Sequence, residues 1–574
     1  MPKRRRNDAR AAQRARPSRI VRALLPALLA SCATLPAPVD YGARAPQLEG
    51  YGPATLAQAS ANAEAQRLFA QGVRQAYAFN EEEAVRAFKA ALAIDPLCAL
   101  CAWGVAWQLG PIINAPKRGD LHEARRYTAL AASLGGNAAP REHGLIEAMA
   151  VRYGEQRSPP QDAPLLAEVC SAPGSDEKAD PLDGAYAARL RVLAEAHPGD
   201  ADIASLYAEA VMVATRSDWW DRKSGKPAGA IADMVQRLEA ALAKTPSHTG
   251  INHYLIHALD ASPHPERAAA AADRLGTLAP ASPHLVHMPA HIYARISRFA
   301  DVVRVNEEAV TAQAGLGALL SQQQFAKTAD WDGHNLHFLW FGAVMEGRGD
   351  LALATARRIA ARAASSTSGF GQYRRALPIH TLARFERWAA VLAEPPSPDN
   401  GFVARTLDGH ARALALLYTG QLEAARALQT EIAQLALPQG KADGNELLRA
   451  MHSILLSRLS AEQAQAEGRT DAAVTAAQAA VAAEDAFEAR EPPMLAAMAR
   501  QAQGQLLLGA GRATEAEAAF RADLADQPGS GWALRGLHAA LQRQGKSAQA
   551  AAVLEQLQRA WRTADPALWP ASAG

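Results

Sequence analysis

Residues 245–257 read TPSHTGINHYLIH, and residues 279–291 read APASPHLVHMPAH. The two stretches lie 34 residues apart, and each has proline at its second position and histidine at its ninth and thirteenth. Histidines four residues apart lie on one face of a helix. A period of this length, with helix-spaced residues in register, is typical of repeated helical units. The sequence therefore predicts an all-α fold in which successive repeats present imidazoles at matching places.

A second pattern of small and aromatic residues marks the start of the helical region. It consists of Leu68, Gly72, Ala84, Phe88, Ala91 and Pro96. These residues stand where a tetratricopeptide repeat has its signature residues, and the chain resembles that family. The resemblance implies helical hairpins stacked into a right-handed superhelical solenoid, with a concave groove that binds ligands. Residues 80–116 are similar to the opening of a subgroup of secreted, lipid-anchored bacterial members.

Composition divides the chain into six predicted segments. They are a signal peptide (1–31), a flexible tether (32–58), an N-terminal repeat array with a histidine-rich groove (59–394), a linker (395–401), a C-terminal array (402–565) and a tail (566–574). The linker follows the proline-rich stretch that begins at Pro395. The clearest repeat of the C-terminal array runs from Gly504 through Ala516 and Phe520 to Pro528. Histidines do not cluster in that array, so we expect it to be structural.

The N-terminus has the pattern of an export signal. Nine basic residues and one acid, Asp8, occupy residues 1–31, and the basic stretch precedes a short apolar run over residues 23–30. This order, ending in small residues, is typical of secretory signals. Leu29-Ala30-Ser31-Cys32 resembles the lipobox of bacterial lipoproteins. The resemblance implies that a lipid on Cys32 anchors the protein to a membrane of the bacterial cell envelope, facing the periplasm or the exterior. The alternative is a basic disordered tail.

Charge and hydropathy argue against two further classes of protein. Beyond residue 31 the chain has 51 basic and 57 acidic residues, a net charge of −6. Such a balance lacks the basic footprint of a nucleic-acid binder, so we expect no nucleic-acid partner. No later segment is apolar enough over sufficient length to cross a bilayer. The remaining partner class is a peptide or protein in the groove.

Nine of the sixteen histidines fall within residues 248–337. In the numbering of the family, the pairs His253/His257 and His287/His291 occupy positions 5 and 9 of a first helix, which face the groove. Glu209 occupies position 9 one repeat earlier. Imidazoles one turn apart can chelate one ion, and helices packed about 8–10 Å apart let two repeats share it. We therefore expect these five residues to hold a transition metal such as zinc, copper, iron or nickel.

Other histidines are further candidates for the same groove. His284 takes position 2 of its repeat, and His334 and His337 follow an insertion, with His337 at position 5 or 3. His248 and His264 are predicted to be surface residues in loops between helices.

Pro289 interrupts the second histidine pair. Proline removes a backbone donor and disturbs the helix before it. Either the helix kinks and re-aims His287, or the helix begins near Pro289 with His287 in the preceding loop. Both alternatives leave His291 inside the helix.

Cys98 and Cys101 form a Cys-x-x-Cys pair just after Pro96. The spacing fits a disulfide, half of a metal site or a redox pair. No second pair of this kind exists, which argues against a cysteine-only zinc site. In an exported protein a structural disulfide is favoured.

Three functions stay open at this point. The chain could be a metal-binding module for storage, delivery or sensing, or a metal-dependent enzyme that leaves one coordination position to a substrate. It could also be an assembly scaffold that grips peptides, with histidines as polar groove lining. No nucleotide-binding loop, nucleophile elbow or His-Glu-x-x-His motif is present, but their absence does not exclude an enzyme.

Overall fold

Helices make up most of the chain that the computed structural model describes. The described residues are 44–569, apart from 55, 115–120, 155–179, 217–218, 222–223, 327–329, 367, 398–400, 441–444, 487–492 and 496–497. In these ranges no β-strand occurs, and Trp220 and Pro227 form an isolated antiparallel bridge. The predicted all-α fold is confirmed. The predicted signal peptide and Cys32 lie outside the described residues.

The helices before the insertion that precedes His334 have at most sixteen residues, except for the last, α13, which has 24. They are α1 (Ala63–Tyr77), α2 (Glu81–Ile94), α3 (Ala99–Gln108), α4 (Leu121–Leu134), α5 (Pro140–Arg152), α6 (Pro181–Ala196), α7 (Ala201–Thr215), α8 (Ile231–Lys244), α9 (Thr249–Asp260), α10 (Ala269–Leu278), α11 (Pro283–His287), α12 (Pro289–Arg295) and α13 (Phe299–Gln322). Short 3-10 helices cover Gly135–Asn137 and Pro265–Ala268.

The remaining helices continue the same pattern to the end of the described chain. They are α14 (Asp332–Met345), α15 (Gly349–Arg362), α16 (Gly369–Arg384), α17 (Trp388–Ala393), α18 (Phe402–Tyr418), α19 (Leu422–Ala433), α20 (Asn445–Ala466), α21 (Thr470–Asp485), α22 (Ala499–Gly509), α23 (Ala513–Asp526), α24 (Gly531–Arg543) and α25 (Ser547–Ala560). A final 3-10 helix covers Pro566–Leu568. Within these ranges no helix has both the length and the apolar character to span a membrane.

Side-chain caps begin several of the helices that follow a short connection. The Asp200, Ser282 and Ser530 side chains accept hydrogen bonds from backbone amides in the first turns of α7, α11 and α24. Such a cap satisfies one of the amides that have no partner inside the helix, and it is worth about 1 kcal/mol. Local sequence therefore helps to set where these three helices begin.

Small residues packed around a phenylalanine hold neighbouring helices together. A Cβ atom placed on Gly72 of α1 would lie 2.6 Å from the Phe88 ring of α2, and one on Gly104 of α3 would lie 2.7 Å from it. Phe520 of α23 is likewise enclosed by Gly504 and Gly536, at 2.4 and 2.2 Å. The signature positions predicted from the sequence thus have the packing role that a tetratricopeptide-like repeat requires.

Residues 44–58 are packed against the repeats. The side chains of Leu48 and Tyr51 are each only 2% exposed. The Ala281 amide donates to the Gly50 carbonyl at 3.0 Å, which joins this segment to the loop before α11. The predicted flexible tether is therefore wrong for these residues, because apolar side chains among the prolines and glycines find a buried surface. Residues 32–43 of the tether lie outside the described residues.

Helices on the two sides of the predicted linker contact each other. The Trp532 and Trp561 indoles donate to the carbonyls of Val344 and Met345, both at 2.8 Å. The described residues belong to one compact unit. Helices α24 and α25 therefore pack on the end of α14. The division of the repeats into two arrays at the linker stays a prediction.

Candidate metal centre

Two groups of three buried histidines lie where α9, α11, α12 and α14 meet. We call His253, His257 and His284 trio A, and His287, His291 and His334 trio B. Within each trio the candidate ligand atoms all lie within 4.8 Å of one another. The sequence predicts one shared ion for four of these residues, with His284 and His334 as additional groove residues. The structure instead divides the four histidines between two sets, which His284 and His334 complete.

The break between α11 and α12 shapes trio B. Helix α11 ends at His287 and α12 begins at Pro289, with Met288 between them in right-handed helical geometry (φ −50°, ψ −37°). Proline supplies no amide to continue the ladder, but the chain keeps turning in the same sense. The outcome is an interrupted helix with His287 as the last residue of α11, not a loop residue. His291 lies inside α12, as both alternatives predicted.

Trio A brings three imidazole nitrogens to one point. His253 Nε2 lies 3.0 Å from His284 Nε2 and 3.1 Å from His257 Nε2. His253 Nδ1 lies 2.7 Å from the Tyr77 carbonyl oxygen, which can only accept a hydrogen bond. His253 Nδ1 therefore carries the proton, and its Nε2 presents a lone pair. One lone pair cannot accept well from two neighbours, whereas a cation could be shared by all three nitrogens.

Trio B repeats this arrangement with side-chain acceptors. His287 Nδ1 donates to Asn306 Oδ1 at 2.7 Å, and the Asn306 amide is oriented by its own donation to the Val302 carbonyl. His291 Nδ1 lies 3.3 Å from the Asp260 carboxylate. The two Nε2 atoms of His287 and His291 face each other at 3.1 Å. With Nδ1 of His287 donating outward, its neutral ring directs a lone pair inward, and His291 does the same when its Nε2 carries no proton.

His334 completes trio B from α14. Its ring centroid lies 4.7 Å from that of His287 and 5.7 Å from that of His291. Its buried Nε2 has no hydrogen-bond partner among the described residues, and neither has Nδ1 of His284 in trio A. A buried polar atom without a partner costs about 1–3 kcal/mol. In trio B an ion or water bound at the centre would satisfy Nε2 of His334, whereas the unpartnered nitrogen of His284 is not the one that faces His253.

Burial favours the neutral form of five of the six imidazoles, those of His253, His257, His284, His287 and His334. Loss of hydration lowers the pKa of His253 and of His287 to about 3, although the hydrogen bonds to Tyr77 and Asn306 act in the opposite direction. Burial, followed by repulsion from neighbouring histidines, also lowers the pKa of His257, His284 and His334. Neutral imidazole is the form that binds metals, so at neutral pH these five ligands need no deprotonation.

The nitrogen separations resemble those of a metal coordination sphere. For metal–nitrogen bonds of about 2.0–2.1 Å in a tetrahedral arrangement, neighbouring nitrogens are about 3.3 Å apart. The contacts of 3.0–3.1 Å in both trios come close to this separation. Outward hydrogen bonds from Nδ1 to a carbonyl, an amide and a carboxylate are the partners that orient metal-binding histidines.

Aromatic rings enclose both trios. Phe79 stacks on His257 and His284, with centroids 5.5 and 5.1 Å apart, and Trp331 lies 4.2 Å from His284. Phe338 lies 4.6 Å from His291. An apolar wall limits the access of water and strengthens electrostatic interactions inside the site.

Two residues proposed from the sequence lie outside both trios. Glu209 accepts a 2.8 Å hydrogen bond from the Trp107 indole, and burial raises the pKa of its carboxyl group. His337 Nε2 lies 2.8 Å from the Tyr373 hydroxyl. Repeat position 9 puts Glu209 on the predicted face, but the intervening aromatic side chains engage it first.

The two histidines expected in surface loops have different environments. His248 is buried, and its Nδ1 accepts from the Ile251 amide as the N-cap of α9 while its Nε2 lies 3.0 Å from Asp202. The surface assignment is wrong for His248, because a cap at this position is packed between repeats. His264 is exposed and lies 3.3 Å from Glu266.

Cys98 and Cys101 form a disulfide with an S–S distance of 1.99 Å at the start of α3. The Cys101 amide donates to Cys98 Sγ at 3.1 Å, so the pair also caps the helix. Both residues are buried, and the alternative of half a metal site is wrong for this structure, because each sulfur is bonded to the other.

The groups that orient the histidines were not predicted from the sequence. Asp260 lies three residues after His257 and gave a weak signal as an acid at the end of a histidine-bearing helix. Tyr77 and Asn306 gave none, since a backbone carbonyl and an amide come to support a metal ligand only through packing between distant helices.

Comparison with known proteins adds little to this description. No family model and no curated protein matches the chain. Among solved structures, a human IFIT1 dimer with m7Gppp-AAAA is similar over 87% of this chain and 90% of its own, at 14% identity and a TM-score of 0.29. The structure of Naa15/Naa10 bound to HypK is similar over 88% of this chain and 89% of its own, at 13% identity and a TM-score of 0.24. The APC/C complex Cut9–Hcn1 is similar over 88% of this chain and 95% of its own, at 13% identity and a TM-score of 0.21.

Scores this low carry no argument about function. The class of protein rests instead on the paired helices and on the enclosed phenylalanines Phe88 and Phe520. The chain is a helical-repeat protein with tetratricopeptide-like repeats, and it carries six buried histidines in two sets of three.

Proposed function

We propose that this helical-repeat protein binds transition-metal ions through trio A and trio B. Zinc, copper and iron all suit imidazole ligands. The sequence predicted a single ion held by four histidines and Glu209, whereas the proposal has two ligand sets of three histidines each. It keeps the expectation that neighbouring repeats supply the ligands of one site.

One observation carries the proposal. In trio B the Nδ1 atoms of His287 and His291 face Asn306 Oδ1 and the Asp260 carboxylate, while their Nε2 atoms lie 3.1 Å apart. When neither Nε2 carries a proton, two lone pairs face each other at this distance and repel unless a cation lies between or beside them. A metal ion satisfies both nitrogens, together with the unpartnered Nε2 of His334.

The competing explanation is a proton in place of the metal. His291 could carry it, donating to Asp260 through Nδ1 and to His287 through Nε2. In that case the trios would be a polar lining of a groove for peptides, which is the scaffold function. The two explanations differ in metal content and therefore can be separated directly.

The test is elemental analysis of the full chain produced without an affinity tag. We expect stoichiometric transition metal in the wild-type protein and its loss in a His257→Ala/His291→Ala double variant, which removes one ligand from each trio. His264→Ala is the matched control, because His264 is exposed and outside both trios. Folded wild-type protein that takes up no metal when supplied with zinc, copper or iron would favour the scaffold function.

An enzymatic role is the second candidate. Three imidazole ligands leave a coordination position that water or a substrate can occupy, as in hydrolytic and oxidative centres. Exchangeable water on the bound metal, measured by proton relaxation with a paramagnetic ion, would favour this role over storage or delivery.

We further propose that the protein is exported and anchored in the bacterial cell envelope through Cys32, facing the periplasm or the exterior. The order of basic and apolar residues ahead of Cys32 supports this, and so does the buried disulfide, since disulfides persist in oxidising compartments. A peptide or protein in the groove fits the repeat architecture, while the absence of a nucleic-acid partner stays a prediction. Mass spectrometry of membrane fractions would detect the lipid on Cys32, and unmodified Cys32 would contradict the anchor.

A further inference from the structure

The two trios are neighbours that share a helix. His284 of trio A and His287 of trio B lie three residues apart on α11, and their ring centroids are 6.4 Å apart. Residues at this spacing project from the same side of a helix. Two ions bound in the trios would therefore be adjacent, with no intervening secondary-structure element to separate them.

The ligand sets offer no negative charge to such a pair. Both trios consist of imidazoles alone. The carboxylate of Asp260 contacts the outer nitrogen of His291 at 3.3 Å and is also paired with Arg295 at 3.1 Å. Two divalent ions would bring four positive charges into a buried, aromatic-walled space, and uncompensated buried charge is expensive. Two monovalent ions halve that charge.

Among the metals that bind imidazole well, copper is the one with a stable monovalent state. Zinc and nickel are divalent in such sites, and iron is divalent or trivalent. Cu(I) also accepts a three-coordinate ligand set, which is what each trio supplies. Building on the proposed function, we propose that trio A and trio B together form a two-ion centre that takes copper in the Cu(I) state.

The test is an anaerobic titration of the full metal-free chain with Cu(I) against a competing Cu(I) chelator such as bicinchoninate. We expect two Cu(I) ions for each wild-type chain and one for each chain of His257→Ala or His334→Ala, which disable trio A and trio B respectively. The His264→Ala control is expected to keep two. If an alanine variant fails to fold by circular dichroism, His257→Gln and His334→Gln replace it, and the wild-type stoichiometry remains decisive.

A second measurement addresses the distance between the ions. After oxidation of the copper-loaded chain with ferricyanide, we expect an electron paramagnetic resonance spectrum broadened or silenced by coupling between neighbouring Cu(II) ions. The single-trio variants are expected to give the sharper spectrum of an isolated ion. Two uncoupled Cu(II) signals in the wild type would overturn the paired centre.

The outcomes separate this inference from the proposed function. One Cu(I) for each wild-type chain, or two retained in both single-trio variants, overturns the two-ion centre. Stoichiometric Zn²⁺ without Cu(I) binding overturns the preference for copper and leaves metal binding intact. A folded chain that takes up neither ion overturns both proposals.

Discussion

At the scale of single residues, the proposed metal binding depends on groups that do not themselves touch the metal. His291 is held from outside by Asp260, whose pKa is lowered mainly by Arg295 and by His291 against the effect of burial. His253 and His287 are held in the same way by Tyr77 and Asn306. These contacts determine which nitrogen of each ring faces inward.

Asp260→Asn is the substitution that tests this role. An amide can still accept from His291 but loses the charge that strengthens the contact, so we expect metal affinity at trio B to fall by about 10–100-fold. Competition titration measures the change. Asp273→Asn is the matched control, because Asp273 also pairs with an arginine, Arg298, but contacts neither trio. An equal loss of affinity in both variants would contradict the positioning role.

At the scale of helices, glycines let neighbouring helices of the repeats pack closely around a phenylalanine. Phe88 fills the space above Gly72 and Gly104, so α1, α2 and α3 approach more closely than larger residues would allow. The positions are a property of the repeat, since Phe520 is enclosed in the same way far along the chain.

Gly104→Ala tests this close packing. The new Cβ would lie 2.7 Å from the Phe88 ring, which cannot move aside without disturbing α2. We expect a loss of about 1–3 kcal/mol in the free energy of unfolding, measured by urea denaturation. The control is Gly184→Ala in α6, where a Cβ meets nothing within 4 Å. There helix propensity alone predicts a gain of up to about 1 kcal/mol, and a similar loss at both sites would contradict the packing argument.

At the scale of the whole molecule, the histidine-bearing helices are enclosed by segments from both ends of the described chain. Residues 44–58 reach the loop before α11, and α24 and α25 bond to the end of α14. The helices that carry the trios are therefore held in place by long-range packing, and the titration of the buried histidines is linked to the folding of this unit.

We expect the metal-free protein to lose stability as the pH falls from about 6.5 towards 3. The pKa of His253 and of His287 is lowered from 6.5 to about 3 in the folded state, so the unfolded chain binds more protons in this window. Above pH 6.5 both histidines are neutral in the folded and in the unfolded chain, and their titration does not reduce the free energy of unfolding. Below pH 6.5 protonation favours the unfolded chain, so the free energy of unfolding falls with the pH. For each of these groups, a tenfold difference in proton affinity between the folded and unfolded chain corresponds to about 1.4 kcal/mol.

Thermal unfolding of the metal-free chain at a series of pH values measures this effect. The melting temperature should fall more steeply below pH 6.5 for the wild type than for a His253→Gln/His287→Gln variant. His264→Ala, which alters an exposed histidine, should follow the wild-type curve. Identical slopes in all three proteins would mean that the buried histidines do not govern acid stability.

The sequence alone determined the helical-repeat class, the signature positions and the two histidine pairs. These depend on local periodicity, because residues four apart must share a helix face and small residues must recur where helices touch. The same local reasoning favoured a disulfide among three alternatives for Cys98 and Cys101, and it predicted that His291 lies in a helix beyond Pro289.

Only the tertiary structure decided how the histidines combine. A repeat position predicts the direction of a side chain but not which distant side chain contacts it. Glu209 is therefore hydrogen-bonded to Trp107, and His334 of α14 completes trio B. Residues 44–58 have the composition of a tether, yet Leu48 and Tyr51 are buried and Gly50 is hydrogen-bonded to Ala281, far along the chain. Such contacts join residues that are distant in sequence, and local pattern carries no information about them.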